Sequence, residues 1–301
     1  MALLNPPELR PSVIVTIARY LAAQPRHEDN IDRLVAILAP LTLPGADPQR
    51  DVNKNLAAAI ELGLIDRNGD DVFLAEGVEP AAGHGQSALM KVLRARVLDE
   101  SLNLAPWRSQ TGARDLTNAL SWYLTFAPSN APTQMEGESS LSANTLQTKD
   151  FGPRQDESDD DGPSNWPIGN ATRWNTFRRW ACSLGFAWVN PSGRLVPDPT
   201  IALRDSLSDV FDGQEELAAR DFVDKLAYSV PVVDGGRYRD FVVSNWQRAA
   251  SESRGLTVPL TDALERLVTE GSIIFDDRAD AARVAKADGS TFSHVRRSSR
   301  R

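Results

Sequence analysis

The sequence is poor in the residues that build most small catalytic centres. It has one cysteine, Cys182, and three histidines, His27, His84 and His294, among 301 residues. A single thiol excludes an intrachain disulfide, and so few His and Cys side chains leave no ligand set for a zinc site of the Cys/His type. Apolar runs of the roughly eighteen residues that a membrane-spanning helix needs are missing. The opening Met1-Ala-Leu-Leu-Asn-Pro-Pro lacks the basic and apolar stretches of a signal peptide, so a cytoplasmic protein without a membrane partner is expected. No Gly-x-x-x-x-Gly-Lys-Ser/Thr phosphate loop occurs. Gly83-His84-Gly85-Gln86-Ser87-Ala88 has dinucleotide-loop spacing, but Glu76-Gly-Val-Glu-Pro-Ala-Ala precedes it in place of a buried strand, so it reads as a connecting loop. Cys182 reads as a buried, inert thiol on a helix, and His27 and His294 have no Ser or Cys partner at a recognisable spacing. The expectation is no enzyme, with no cofactor and no metal.

What is present is ordinary for a folded domain: 41% hydrophobic and 25% charged residues. The net charge of −8 argues against a protein that coats nucleic acid, but its distribution changes that reading. Residues 128–164 hold eight acidic and two basic residues, a net of −6, so the rest of the chain carries only −2. That acidic stretch is rich in Pro, Gly, Ser, Asp and Glu. It is expected to be largely a mobile loop, with residues 139–147 and 166–168 as its orderable parts. The run Asp156 to Asp161 lacks spaced calcium-ligand positions and reads as a solvated charge cluster.

A degenerate internal repeat is the informative feature. Three times an amphipathic helix ends in glycine and leads directly into an apolar strand: residues 52–62 with Gly63, 171–184 with Gly185, and 260–270 with Gly271. Glycine is the residue expected just past a helix, where the left-handed conformation carries no Cβ penalty. In the first two copies a turn at Arg67-Asn-Gly-Asp or Asn190-Pro-Ser-Gly returns the chain as Val72-Phe-Leu or Arg194-Leu-Val. The third copy returns at 291–297 after a long insert. Helical segments precede each: 12–23, capped by Ser12, and 28–38; then 115–126; then 215–228 and 238–248. An extra helix over 87–102 is expected to bridge the first two copies. Helix, helix, helix, hairpin is the winged helix-turn-helix order, in which the third helix enters the major groove. The fold expected is mostly α with short β-hairpins, as tandem winged helix-turn-helix units. These would occupy 1–78, then 79–212 including the helical bridge and the acidic insert, then 213–301.

Placing residues 100° apart shows which third helix suits DNA. The first turns Arg50, Asp51, Lys54, Ala57, Ala58 and Glu61 outward, and the third turns out Asp262, Glu265, Arg266 and Thr269. Both are acidic and fit protein contact better than phosphate. The second directs Trp174, Phe177, Ala181 and Leu184 inward, with Trp180 and Trp188 in the same core. It turns Thr172, Asn175, Thr176, Arg179 and Ser183 outward, with Arg173 and Arg178 on the flanks. Asn and Arg can contact adenine and guanine edges bidentately, while Thr and the flanking arginines suit phosphates. Arg194 on the hairpin could reach the backbone or minor groove. No acid lies between Asp161 and Asp198. The DNA-binding set is therefore Thr172, Arg173, Asn175, Thr176, Arg178, Arg179 and Arg194. The alternative is a solvated polar face over a Trp-rich core.

The stretch Leu3-Leu4-Asn5-Pro6-Pro7 with Pro11-Ser12-Val13, the helix end Arg19-Tyr20-Leu21-Ala22 and the passage from Ala57 to Asp66 resemble the DpdG family. The likeness is clearest over about the first 75 residues. That family belongs to bacterial Dpd gene clusters, which handle 7-deazapurine modification of DNA and the associated restriction. The resemblance implies a non-catalytic partner in the restriction, or phage-defence, arm, acting beside helicase or ATPase and nuclease components. Together the readings point to a subunit that binds duplex DNA through its second winged helix and docks partners through the first and third. The rivals are a purely protein-contacting assembly subunit and a winged-helix transcription regulator. The regulator would require a symmetric dimer to match paired half-sites.

Overall fold

The computed structural model describes residues 2–5, 7–42, 45, 47–109, 111–137, 140–155, 164–248 and 255–298. The chain is mostly helical with short antiparallel strands, as its patterning predicts. Helix α1 (Pro11–Ala22) starts one residue before the expected Ser12 cap, because Pro11 fits the first helical position and Arg10 takes the extended cap conformation. It buries Ile14, Val15, Ile17, Ala18 and Leu21. Strand β1 (Glu28–Asn30) follows and opens α2 (Ile31–Leu38), where the Asn30 side chain accepts from the Asp32 amide. The helix expected over 28–38 is thus shortened by a strand. Helix α3 (Pro48–Glu61) is capped by Asp47, whose carboxylate accepts from the Arg50 amide at 3.0 Å. Asn55 of α3 is fully buried and pins the approach to α1: its Oδ1 accepts from the Arg10 amide and its Nδ2 donates to the Glu8 carbonyl. Strands β2 (Ile65–Asn68) and β3 (Asp71–Leu74) form the expected hairpin, and β1 adds to it in the order β1-β3-β2.

Next come α4 (Glu79–Gly83), α5 (Gln86–Val97) and α6 (Arg114–Tyr123), the last buried along its whole length. Helix α7 (Ala143–Phe151) lies inside the acidic stretch, capped by Ser142. Helix α8 (Ala171–Ser183) leads to β4 (Ala187–Val189) and β5 (Leu195–Pro197), a two-stranded hairpin. The rest is α9 (Thr200–Phe211), β6 (Glu216–Ala218), α10 (Ala219–Ser229), α11 (Arg237–Ser244), α12 (Val258–Thr269), β7 (Ile273–Asp276), β8 (Val284–Ala285), β9 (Thr291–Phe292) and β10 (His294–Arg297). Among the described residues no helix is long and apolar enough to cross a membrane.

Packing divides the chain into two compact units, neither continuous in sequence. One comprises Met1–Leu116 with Thr172–Leu184, the other Thr117–Ala171 with Gly185–Arg301. In the first unit α1 packs on α3, and α5 packs on α1 and α4. In the second unit α9 packs on α10 and α12, and β10 lies between β6 and β7. The order β6-β10-β7 repeats β1-β3-β2: a strand just after the first helix joins the outer side of the hairpin's return strand. The first helix of this repeat is α9, which lies before residue 213, so the expected helix over 215–228 is preceded by a helix and a strand that the periodicity did not reveal. The three repeat glycines, Gly63, Gly185 and Gly271, all have φ between 65° and 76°, as a left-handed helix exit requires.

Over its described residues the acidic stretch is folded: the described part of 139–147 and residues 166–168 are ordered as expected, and neighbouring residues expected in a mobile loop are ordered too. Ala131, Met135, Phe151, Trp166 and Ile168 are buried. The Gln147 amide group bonds both ways to the Ile168 backbone, at 2.9 and 2.8 Å. The Trp122 indole N–H donates to Asp150 at 2.8 Å, and Arg248 pairs with the same carboxylate at 3.0 Å. A few large apolar anchors and saturated polar partners outweigh the polar composition. The run from Asp156 to Asp161 lies outside the described residues.

Candidate nucleic-acid interface

Helix α8 is positioned by its apolar stripe. Trp174, Phe177, Trp180, Ala181 and Leu184 are all buried, as its periodicity predicts, with the Trp174 and Phe177 rings 5.8 Å apart. At its C-terminal end Arg94 of α5 donates to the Leu184 carbonyl at 2.8 Å, placing a cation where the helix dipole favours one.

The predicted contact residues do not share one exposure. Thr172 and Asn175 are exposed, and Arg178 and Arg179 are half-buried. Thr176 is fully buried, its hydroxyl donating to the Thr172 carbonyl at 3.1 Å. Arg173 is only 1% exposed, so its assignment as an outward flank is corrected. A 3.6-residue helix with a wide apolar stripe leaves few outward positions, and α8 is covered beyond the stripe. The positive charge of Arg173 acts on Asp115, a buried carboxylate that accepts from the Leu3 and Leu4 amides at 3.2 and 2.7 Å. Burial pushes the Asp115 carboxyl up to about 6, against the lowering pull of those amides and of Arg173. Arg173 therefore belongs to a clasp that holds the N-terminal Leu3-Leu4 in the core.

Arg179 is different. It donates to the Asn175 carbonyl at 3.3 Å and forms no ion pair with a described carboxylate. Desolvation, then the nearby positive charge of Arg10, pulls its guanidinium below its ordinary value. Arg10 is itself within 3.6 Å of Asp51, so the charge without a described carboxylate partner is that of Arg179. Arg178 lies close enough to Cys182 to oppose the rise that burial gives the thiol.

The β4–β5 hairpin carries Arg194, exposed as expected, and Trp188, which is 41% exposed and not in the core. Trp188 pairs with Val196 across the strands, on the face opposite the buried Ala187 and Leu195. Alternation along a strand puts successive side chains on opposite faces, and helical phase counting could not show this.

The other two third helices differ. On α3, Ala58 is buried although outward placement was expected, while Asn53 is exposed and was missed. Lys54 pairs with Glu8 at 2.7 Å, which holds the Glu8 carboxyl below its usual range, and Arg10 approaches Asp51 at 3.6 Å. A groove of about 620 Å3 beside α3 is lined by both signs of charge, Glu8, Arg10, Arg50 and Asp51, and by Val13 and Leu38. On α12, Arg266 pairs with Asp198 and Glu265 with Lys286, while the following Glu270 pairs with Arg204. Among the described residues Ser293 Oγ lies 3.0 Å from His294 Nδ1, a Ser–His contact that sequence spacing did not suggest. The Ser293 hydroxyl is buried, accepts from the Arg278 amide at 2.8 Å and donates to the Asp276 carbonyl at 3.2 Å, an arrangement that ties the start of β10 to the end of β7.

A family model described as DpdG-like matches residues 1–281. No curated protein and no solved structure gives a significant match to the chain.

Proposed function

Because the chain belongs to the DpdG-like family, we propose that it serves the Dpd system as a non-catalytic DNA-binding subunit. It contacts duplex DNA with the exposed side of α8, through Thr172, Asn175, Arg178 and Arg179. The observation that carries this reading is Arg179, a half-buried cation beside Arg10 with no described carboxylate opposite it. The winged-helix order of the chain supports it, since helices in such units present Asn and Arg to base edges and backbone. DNA carrying 7-deazapurine modification, and helicase, ATPase or nuclease subunits of a defence complex, are the partners that family membership suggests. The test is fluorescence anisotropy with a labelled duplex at about 50 and about 200 mM salt. Binding should weaken steeply with salt, and Arg179→Ala should reduce both the affinity and the salt slope. Absence of binding at low salt would overturn the DNA reading.

A second reading has its own observation. The groove beside α3, lined by apolar residues and by both signs of charge, suits a protein segment better than a polyanion. It supports an assembly role for the first winged helix, compatible with DNA contact through α8.

A further inference from the structure

The three repeat hairpins are not equally covered. In β1-β3-β2 and in β6-β10-β7 a third strand joins the outer side of the return strand. The β4–β5 hairpin has only two strands among the described residues. Its hydrogen bonds fix which backbone groups point outward. The Asn190 amide donates to the Arg194 carbonyl and the Asp198 amide to the Phe186 carbonyl, both at 2.9 Å, and the register pairs Trp188 with Val196. Antiparallel ladders alternate bonded and unbonded pairs. Residues 186, 188 and 190 therefore face β5, while Ala187 and Val189 turn their N–H and C=O groups away from it. No described group bonds them. By the same alternation Leu195 and Pro197 look outward from β5, and proline has no N–H to offer a further strand. The return strand is blunted and the first strand is open.

The open edge also lacks the usual protection, since charges and proline are what keep edge strands from pairing. Strand β2 carries Asp66 and Arg67, and β7 ends in Asp276, paired with Arg296 at 2.6 Å. Phe186-Ala-Trp-Val-Asn190 has neither charge nor proline. Trp188 is 41% exposed and Val189 46%, on opposite faces of the strand.

We infer that β4 pairs with β4 of a second copy of this chain, antiparallel about a two-fold axis at Trp188. In that register Ala187 meets the second copy's Val189 and Val189 meets its Ala187, and each pair exchanges two backbone hydrogen bonds. Neighbouring registers fail. An axis at Val189 sets Ala187 against Pro191, which has no N–H, and an axis at Ala187 sets Val189 against Gly185, whose φ of 76° is not that of a strand. At the axis the two Trp188 side chains form an unbonded cross-strand pair, the closest spacing in a ladder, where aromatic pairs are favourable. An uncharged strand brings no like charges together, although each chain carries a net −8. This symmetric fit is what selects a second copy over a strand of other sequence. Nothing in the pairing depends on nucleic acid, so its test uses the protein alone.

A contact this short makes a weak dimer, so the full chain is followed by sedimentation velocity from about 1 to about 200 μM. A dimer should appear as the concentration rises. Trp188→Lys puts two like charges on the axis, and Val189→Pro removes an outward N–H that the hairpin itself does not use. Each should raise the dimer dissociation constant about tenfold or more, whereas Arg194→Ala, off the pairing edge, should leave it unchanged. In a Cys182→Ser background, Trp188→Cys should give a disulfide-linked dimer under mild oxidation, because opposed Cα atoms of an unbonded pair lie about 4.5 Å apart, within disulfide reach. Arg194→Cys in the same background should not cross-link. Thermal melts establish that each variant is folded, and the cross-link decides the matter if an edge variant melts early. A monomer throughout, a dimer that neither edge variant weakens, or failure of Trp188→Cys to cross-link overturns the pairing.

Discussion

Arg173 and Arg179 lie on the same helix six residues apart and meet opposite environments. Arg173 is enclosed with Asp115, while Arg179 reaches the surface beside Arg10. Replacing one member of a buried charge pair leaves the other uncompensated, so Arg173→Ala should lower stability by about 3–5 kcal/mol. Arg179→Ala should leave the melting temperature nearly unchanged and lower DNA affinity. Paired thermal melts and anisotropy titrations of the two variants check this. Asp115 adds a pH signature. Its folded carboxyl sits near 6, above the ordinary 3.8, so between those values the folded state holds the proton more tightly than the unfolded chain does. The contribution of this residue to stability is therefore greatest below pH 4, falls as pH rises towards 6, and is flat above. Carboxyls lowered by partners, such as Glu8 and Asp276, slope the other way. Comparing melting temperatures of the unmodified protein and Asp115→Asn from pH 4 to 7.5 cancels them. The difference should shift against the unmodified protein between pH 4 and 6 and then level off. None of this was legible in the sequence: helical phase shows which residues oppose the apolar stripe, but not whether another part of the chain covers them. The exposure of Thr172, Asn175 and Arg194 was legible because nothing further packs there.

At the scale of elements, the helix-to-hairpin passages were the most readable part. Each depends on local chemistry: an apolar stripe, a glycine, a β-rich run and a turn. Gly63 has φ 65°, and a Cβ built there meets nothing closer than the Arg96 guanidinium at 3.9 Å. The cost of Gly63→Ala is therefore backbone strain alone, about 1–2 kcal/mol, and Gly63→Asn should recover part of it because Asn tolerates the left-handed region. Chemical denaturation of the two variants measures both. The short strands β1 and β6 and helix α9 were not readable. Three-residue strands have too little sequence to show an alternation, and α9 carries Arg204, Asp205 and Asp209 among its buried Ala202, Leu203, Leu207 and Val210. The acidic stretch was read too largely as a mobile loop because average composition hides single anchors such as Ala131, Met135 and Phe151, whereas the pieces carrying Gln147, Trp166 and Ile168 were legible as orderable.

At the scale of the whole molecule, the first compact unit closes only when residues 172–184 join residues 1–116. A fragment ending at residue 116 would lack the Leu184 carbonyl that Arg94 binds and the Arg173 charge beside Asp115. Its amide NMR spectrum should be poorly dispersed, and adding a synthetic peptide of residues 171–185 should sharpen it. An unchanged, well-dispersed spectrum of the fragment alone would show that α8 is dispensable for that unit.

The discontinuity also sets an order of events during synthesis. A ribosome delivers the chain from its N-terminus at roughly 5–20 residues per second. The first 116 residues therefore emerge several seconds before α8, with Asp115 and the apolar seat of Trp174 and Phe177 awaiting their partners. The protein spends that interval with part of its interior open to solvent and to chaperones. The N-terminal unit, first to be made, is completed only after the first segment of its neighbour, residues 117–171, has been translated.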